Sequence, residues 1–289
     1  MTNMDKAALV TGASTGIGHA IVDALTTADW HVFASVRKQA DADKLQAQFN
    51  DACTPLLFDV TDADAIQTSA EQVRTALNGT TLKGLINNAG VAVGGPLRYL
   101  PIEELEFQMN VNLFGALRVT QAFLPMLGAD RSFTGSPGKI INMSSVAGKI
   151  ASPIMGPYSM SKHALEAFTD SLRRELLMHG IDVVAVAPGA VKTPIWDKAD
   201  DIDADQYKDT EYYSVLIEMR KKYKEFGGDG LPPKTIGHLV SEILAGRKNK
   251  TRYAILKNKF MMYTLPRLLP KRILDKGMAE RFGFQVKAD

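Results

Sequence analysis

Short, continuous apolar runs alternate along this chain with longer stretches of helical periodicity. The runs are 7–10, 31–36, 55–60, 85–87, 139–143, 181–187 and 252–256. Successive rather than alternating apolar positions predict strands covered on both faces. Between them, 16–28, 41–49, 62–77, 102–127, 158–179 and 235–245 carry helical spacing. Thr61 and Asp64 read as a capping box for one of these helices. A β-α-β-α order with right-handed crossovers predicts an α/β fold: a doubly wound, parallel, seven-stranded sheet. No repeat, low-complexity tract or dividing linker interrupts the chain, so 1–289 is expected to be one domain. The irregular stretch 192–233, rich in Asp, Tyr and Gly, is expected to fold over a site as a flap. Residues 257–289 are expected to form a C-terminal helical extension.

Composition narrows the function classes. Apolar residues make up 45% of the chain, enough for a sizeable core, and the net charge of +2 is too small to make nucleic acid a bulk partner. The single cysteine, Cys53, excludes an intrachain disulfide and a cysteine-rich metal site. His19, His31, His163, His179 and His238 show no ligand spacing, so no metal is expected. The N-terminal residues do not read as a secretory signal, and no apolar run of about 18 residues is present. A cytoplasmic setting is expected. Charge is uneven, however. Between Arg247 and Lys276 ten Lys/Arg face one acid, Asp275, a local charge of +9.

The first strand runs into Thr11-Gly12-Ala13-Ser14-Thr15-Gly16-Ile17-Gly18. Glycines at a strand-to-helix turn let backbone approach a pyrophosphate, while the helix N-terminus offers unpaired N–H groups and a positive dipole. The spacing is TGxxxGxG rather than GxGxxG. After the second strand, a carboxylate would hold the ribose hydroxyls of NAD. Here Arg37 and Lys38 follow Val36, and no acid occurs before Asp41. A guanidinium pairs bidentately with a 2′-phosphate, so NADP(H) is expected in preference to NAD(H). Asp59-Val60 and Asn87-Asn88-Ala89-Gly90 fall at the carboxyl ends of the third and fourth strands, where ligands sit in open α/β sheets.

Tyr158 and Lys162 lie four apart at the start of a helical stretch, hence on one face. An ammonium near a phenol favours the phenolate and suits the tyrosine to proton transfer at a carbonyl or alcohol oxygen. Tyr253 and Lys257 share that spacing but lie in a strand-like segment far from any glycine loop. Ser145, thirteen residues before Tyr158, offers a hydroxyl to the reacting oxygen. Ser144 competes for that role, and spacing decides for Ser145. Asn112 sits in an apolar helical stretch, where a side-chain amide must be hydrogen-bonded, in the core or at a kink.

Together with Pro188-Gly189-Ala190-Val191-Lys192-Thr193, these motifs resemble the single-domain short-chain dehydrogenases/reductases over about residues 5–255. Around Val36-Arg37 the chain resembles the 17β-hydroxysteroid and retinol dehydrogenase branch. The resemblance implies a Rossmann-like fold and hydride transfer between a nicotinamide and an alcohol or carbonyl. It implies Tyr158 as general acid/base, Lys162 lowering its pKa and holding the nicotinamide ribose, and Ser145 orienting the carbonyl. Asn112 would place a water in a proton relay. Gly12, Ser14, Thr15, Gly16, Ile17 and Gly18 would hold phosphates and ribose. Asp59 and Val60 would meet adenine; Asn88, with Ala89 and Gly90, the ribose. Pro188, Gly189, Val191 and Thr193 would meet the nicotinamide. A homodimer or homotetramer is implied as well.

The insert carries Pro194, Ile195, Trp196, Tyr207, Tyr212, Tyr213, Leu216 and Met219. Such a flap suits a lipophilic, steroid-like or retinoid-like substrate, or it packs on its own domain. The basic tail, with Phe260, Met261, Met262, Tyr263, Leu265, Leu268, Leu269, Ile273 and Leu274, suits weak contact with an anionic membrane, steering of an anionic cofactor, or a lid. A 3-oxoacyl reductase is a rival within enzymes. A non-catalytic NADP(H)-sensing protein is the rival outside them, and it would be marked by loss of the Asn/Ser/Tyr/Lys set, which is intact.

Overall fold

The computed structural model describes residues 4–194 and 204–284. Seven strands form one parallel sheet: β1 (Ala7–Val10), β2 (His31–Val36), β3 (Cys53–Leu57), β4 (Gly84–Asn87), β5 (Lys139–Met143), β6 (Asp182–Pro188) and β7 (Arg252–Ile255). Their order is β3-β2-β1-β4-β5-β6-β7. The chain leaves β1 in one direction for β2 and in the other for β4, so a crevice opens at the carboxyl ends of β1 and β4.

Both faces are covered, which is why the strands are apolar on successive positions. Ala7 and Leu9 point into one core with residues of α3 (Ala63–Leu77), α5 (Gly115–Phe123) and α6 (Gly156–Glu175). Ala8 and Val10 point into the other, with α1 (Gly16–Thr27), α2 (Gln39–Phe49) and α8 (Pro233–Leu244). Each fully buried Leu, Ile or Val contributes about 1.5–3 kcal/mol of transfer free energy, so alternate residues of one strand hold two layers of helices.

Several expectations are corrected. The cap of α3 is Asp62, whose carboxylate accepts from Ala65 N at 3.0 Å. Thr61 instead donates N–H and hydroxyl to Asp59 Oδ1, at 2.9 and 2.7 Å. The helix expected over 102–127 is broken: α4 (Ile102–Met109) passes through a π-turn, Asn110–Phe114, into α5. The helix expected over 158–179 is α6, followed by a 3-10 turn over Leu176–His179.

The insert is not irregular throughout. It contains α7 (Tyr213–Gly228), and its Tyr207, Leu216 and Met219 are buried with Ala204 and Ile154 in a small satellite core. Partly buried Tyr212, Tyr213, Phe282 and Phe284 pack against them. Ile195 and Trp196 lie outside the described residues. Beyond β7 the chain makes a second π-turn, Phe260–Thr264, then α9 (Leu265–Leu268) and α10 (Lys271–Phe282). No helix among the described residues is long and apolar enough to cross a membrane.

Candidate active site

At the sheet's switch point the glycine loop is built by close backbone approach. Gly12 has φ +65°, and a Cβ there would sit 2.9 Å from Ala89 Cα. A Cβ on Gly18 would sit 2.2 Å from Gly12 O and 2.6 Å from Asn88 Nδ2. Only glycine lets the first turn of α1 close onto this loop. Asn88 Nδ2 donates to Thr11 O at 2.8 Å and Gly12 O at 3.1 Å, and Thr11 Oγ1 accepts from Asn88 N and Ala89 N. The loop is therefore stitched to the end of β4. Thr15 precedes α1 in extended backbone without a side-chain cap bond, which leaves first-turn N–H groups for another partner.

A cavity of about 1210 Å³ begins at this loop. Every residue expected to meet the cofactor lines it: the loop, Arg37, Asp59, Val60, 88–90, Tyr158, Lys162, Pro188, Gly189, Val191 and Thr193. Ser145 joins Tyr158 and Lys162 on the wall. Arg37 stands at the rim with its side chain 65% exposed, and its guanidinium lies 3.7 Å from Asp59. An exposed pair at that distance is worth little, so the guanidinium is free to turn to a stronger anion.

Helix α6 carries both Tyr158 and Lys162. The Tyr158 phenol is pushed above its ordinary range by burial and pulled back partly by a hydrogen bond with Ser145. Lys162 lies one turn further along α6. Its Nζ donates to Met143 O at 2.8 Å and lies 5.7 Å from the centre of the Tyr158 ring. Burial lowers the Lys162 ammonium to about 8, and Glu166 one turn on holds it up. The Tyr253–Lys257 pair is structural: Tyr253 OH accepts from Lys250 N, and Lys257 donates to Asp229.

Asn112 is the expected site residue that does not reach the wall. It lies in the π-turn, accepts from Val91 N at 2.8 Å, and spends its amide hydrogens on Val91 O and Ser161 Oγ, each at 3.0 Å. It ties the segment after β4 to α6, one turn from Tyr158.

Glu166 was not singled out from sequence. Its buried carboxylate accepts from Ser144 Oγ and from Arg252 Nε at 2.8 Å, and pairs with Lys149 at 3.5 Å. Thus Ser144 faces Glu166 while Ser145 faces Tyr158. Arg252 also donates to Tyr263 OH and lies over its ring, so the network reaches the second π-turn. The spacing Tyr158, Lys162, Glu166, all on one helical face, was the available signal.

Apolar residues line the cavity too: Phe107, Val111, Ile150 and Met155 from the domain, and Met261, Met262, Pro266, Leu269, Ile273 and Leu274 from the C-terminal segment. The charged Lys222, Glu225, Asp229 and Arg281 share that wall. Among the insert's described apolar residues, Pro194 is on the wall, and Tyr207, Tyr212, Tyr213, Leu216 and Met219 are not. The insert's Lys222, Glu225 and Asp229 and the tail both border this space.

The sequence profile described as "short chain dehydrogenase" matches residues 6–203. The NADPH-dependent 3-dehydrocapnine reductase of Ornithobacterium rhinotracheale is 40% identical over 269 residues, covering 93% of this chain and 94% of that protein. The uncharacterized oxidoreductase YbbO of Escherichia coli K12 is 32% identical over 273 residues, covering 94% of each. A solved short-chain dehydrogenase from Streptomyces avermitilis superposes with a TM-score of 0.75 at 26% identity, covering 96% of this chain and 95% of that one.

Proposed function

The chain belongs to the short-chain dehydrogenase family, and on that footing we propose that it uses NADP(H) to interconvert a lipophilic ketone or aldehyde and its alcohol. One observation carries this reading: a single cavity joins the glycine loop, the Ser145–Tyr158–Lys162 group and a cluster of apolar side chains from the C-terminal segment. Its size exceeds the few hundred Å³ that one small ligand fills. The loop also fits the cofactor's phosphates, because Gly12 and Gly18 let the loop, the end of β4 and the first turn of α1 close together and α1 offers uncapped N–H groups. The 40% identical relative is itself named NADPH-dependent.

Bound NADPH would supply the hydride. In reduction, Tyr158 O–H donates its proton to the carbonyl oxygen as that oxygen gains charge, and the Ser145 hydroxyl orients it. Carbonyl, hydride and proton then sum to the alcohol. A phenol held above its ordinary range stays protonated through neutral pH and can donate that proton. Lys162 holds the nicotinamide ribose, and Gly12, Ser14, Thr15, Gly16, Ile17 and Gly18 the phosphates. Asp59 and Val60 border adenine, and Asn88 to Gly90 the adjoining ribose. Pro188, Gly189, Val191 and Thr193 border the nicotinamide. Asn112 is a positioning residue. The apolar cluster supports a steroid-like or retinoid-like substrate, enclosed by the extension 257–289 and the flap 192–233. Exposed Phe107 and Phe114 on the α4–α5 rod support a homodimer or homotetramer.

Titration with NADPH and NADH, followed by nicotinamide fluorescence, tests the cofactor. NADPH is expected to bind about 10- to 100-fold tighter, the worth of a charge-assisted pair at Arg37. Arg37→Asp reverses that order; an unchanged ratio removes Arg37 from the site.

Glu166 yields a pH prediction. Lys162 is cationic below its pKa of about 8, and Glu166 opposes the lowering by burial. Glu166→Gln therefore moves that pKa further down, and the alkaline limb of NADPH affinity moves to lower pH. The variant also leaves Arg252 and Lys149 without their acid, costing about 3 kcal/mol of stability. A melting temperature that falls with no change in the pH limb would leave Glu166 a purely structural residue.

A further inference from the structure

The C-terminal segment has two faces, and the cavity uses one. Met262, Pro266, Leu269, Leu274 and Met278 turn inward. Outward, Phe260 is 64% exposed and Leu268 74% exposed, large apolar side chains left in water on elements that already have a core to bury them in. Met261 and Ile273 belong to both sets, being cavity-lining and more than half exposed, and they share the cavity's exposed rim with Lys222, Glu225, Asp229 and Arg281. Around this rim Lys257, Lys259, Arg267, Lys271, Arg272 and Lys276 are all exposed, against the acid Asp275. Two cations of the segment are already engaged elsewhere: Lys257 pairs with Asp229, and Arg267 lies over Tyr263.

We propose that this face docks on the surface of an anionic lipid bilayer, with Phe260 and Leu268 among the acyl chains and Lys259, Lys271 and Arg272 at the headgroups. The mouth of the cavity then opens toward lipid. The proposal deepens the lipophilic-substrate reading and rests on it: a substrate dissolved in a bilayer would enter past Met261 and Ile273 without crossing water. Charge complementarity selects this occupant. Exposed apolar residues alone would suit a second copy of the chain, but two copies of this face would bring like charges together. Exposed Lys259, Lys271, Arg272 and Lys276 give the face a positive charge that meets its complement in an anionic surface. The span is no membrane-crossing element, since α9 and α10 are short and α10 is charged along its length. It would lie in the interface plane.

The test is co-sedimentation of the full chain with phosphatidylcholine vesicles, and with vesicles containing phosphatidylglycerol as well. The expected result is binding to the anionic vesicles, weakened by salt, and little to phosphatidylcholine alone. Lys271→Glu/Arg272→Glu is expected to weaken it by at least about 25-fold, roughly fivefold for each basic side chain at the surface. Phe260→Ser/Leu268→Ser is expected to weaken it by about tenfold or more. None of these four side chains lines the cavity, so each variant should bind NADPH as the parent does, which checks that it is folded. Protein that stays in the supernatant with both vesicle types would overturn the proposal. Self-association that Leu268→Ser abolishes, without vesicle binding, would overturn it in favour of a second copy. Vesicle binding by a protein that binds no NADPH would keep the docking face and sink the enzymatic reading.

Discussion

Replacing Tyr158 by Phe is expected to reduce carbonyl reduction by about 10²–10⁴-fold, the usual worth of a positioned general acid. NADPH binding should change little, because the cavity keeps its glycine loop, Lys162 and the wall from Pro188 to Thr193. The substitution removes one oxygen from a side chain whose ring is packed at the start of α6. It takes away the proton donor and the hydrogen bond with Ser145 together. Ser145 remains and can still bond the carbonyl oxygen, so some turnover survives. The assay is NADPH oxidation with aliphatic and cyclic ketones. Its pH dependence carries a sign. A general acid works while protonated, and burial raises the Tyr158 phenol, so reduction persists to the alkaline side of neutrality and falls as pH passes through that raised value. Turnover in Tyr158→Phe equal to the parent's would remove Tyr158 from the proton step.

The strands and the glycine loop were legible for one physical reason. A parallel strand covered on both faces has no polar side to hide, so runs such as 31–36 and 139–143 declare themselves. The π-turn at Asn110–Phe114 was legible only as a kink that Asn112 allowed, because the apolar spacing continues through it. Asn112, whose need for partners was plain, proved to be satisfied by Val91 and Ser161 rather than placed at the wall. Glu166 was hidden by its type. A glutamate on a helix is usually solvated, and only the fold brings Arg252 and Lys149 to it.

The insert and the tail each left more than one reading open for the same reason. Aromatic residues in an insert fit a substrate flap and a satellite core equally well. Tyr207, Leu216 and Met219 chose the core once Ile154 stood beside them. For the tail, mixed basic and apolar composition left three readings open. A contact between residues eleven apart, Arg252 with Tyr263, ties the second π-turn to β7, and Met261 and Met262 beside it line the cavity. The Ser145, Tyr158 and Lys162 positions needed no such contact, being fixed by the end of β5 and one face of α6.

Gly18→Ala is expected to weaken NADPH binding by roughly 10- to 100-fold, the scale of overpacking a tight site. The new methyl group would fall 2.2 Å from Gly12 O and 2.6 Å from Asn88 Nδ2. Neither is the end of a flexible side chain: Gly12 O is backbone, and Asn88 is held by bonds to Thr11 and Gly12. Relief therefore requires the first turn of α1 to move away from the loop. That motion separates the N–H groups of the helix from the glycines that would share a phosphate with them. Stability should fall less than affinity, because the two cores beneath the loop are untouched. Gly228→Ala is the control, since nothing lies within 4 Å of a Cβ built there. The measurement is fluorescence titration of both variants alongside their melting temperatures. Unchanged affinity in Gly18→Ala would mean that the loop tolerates the displacement and that its close approach to Gly12 is not what binds the cofactor.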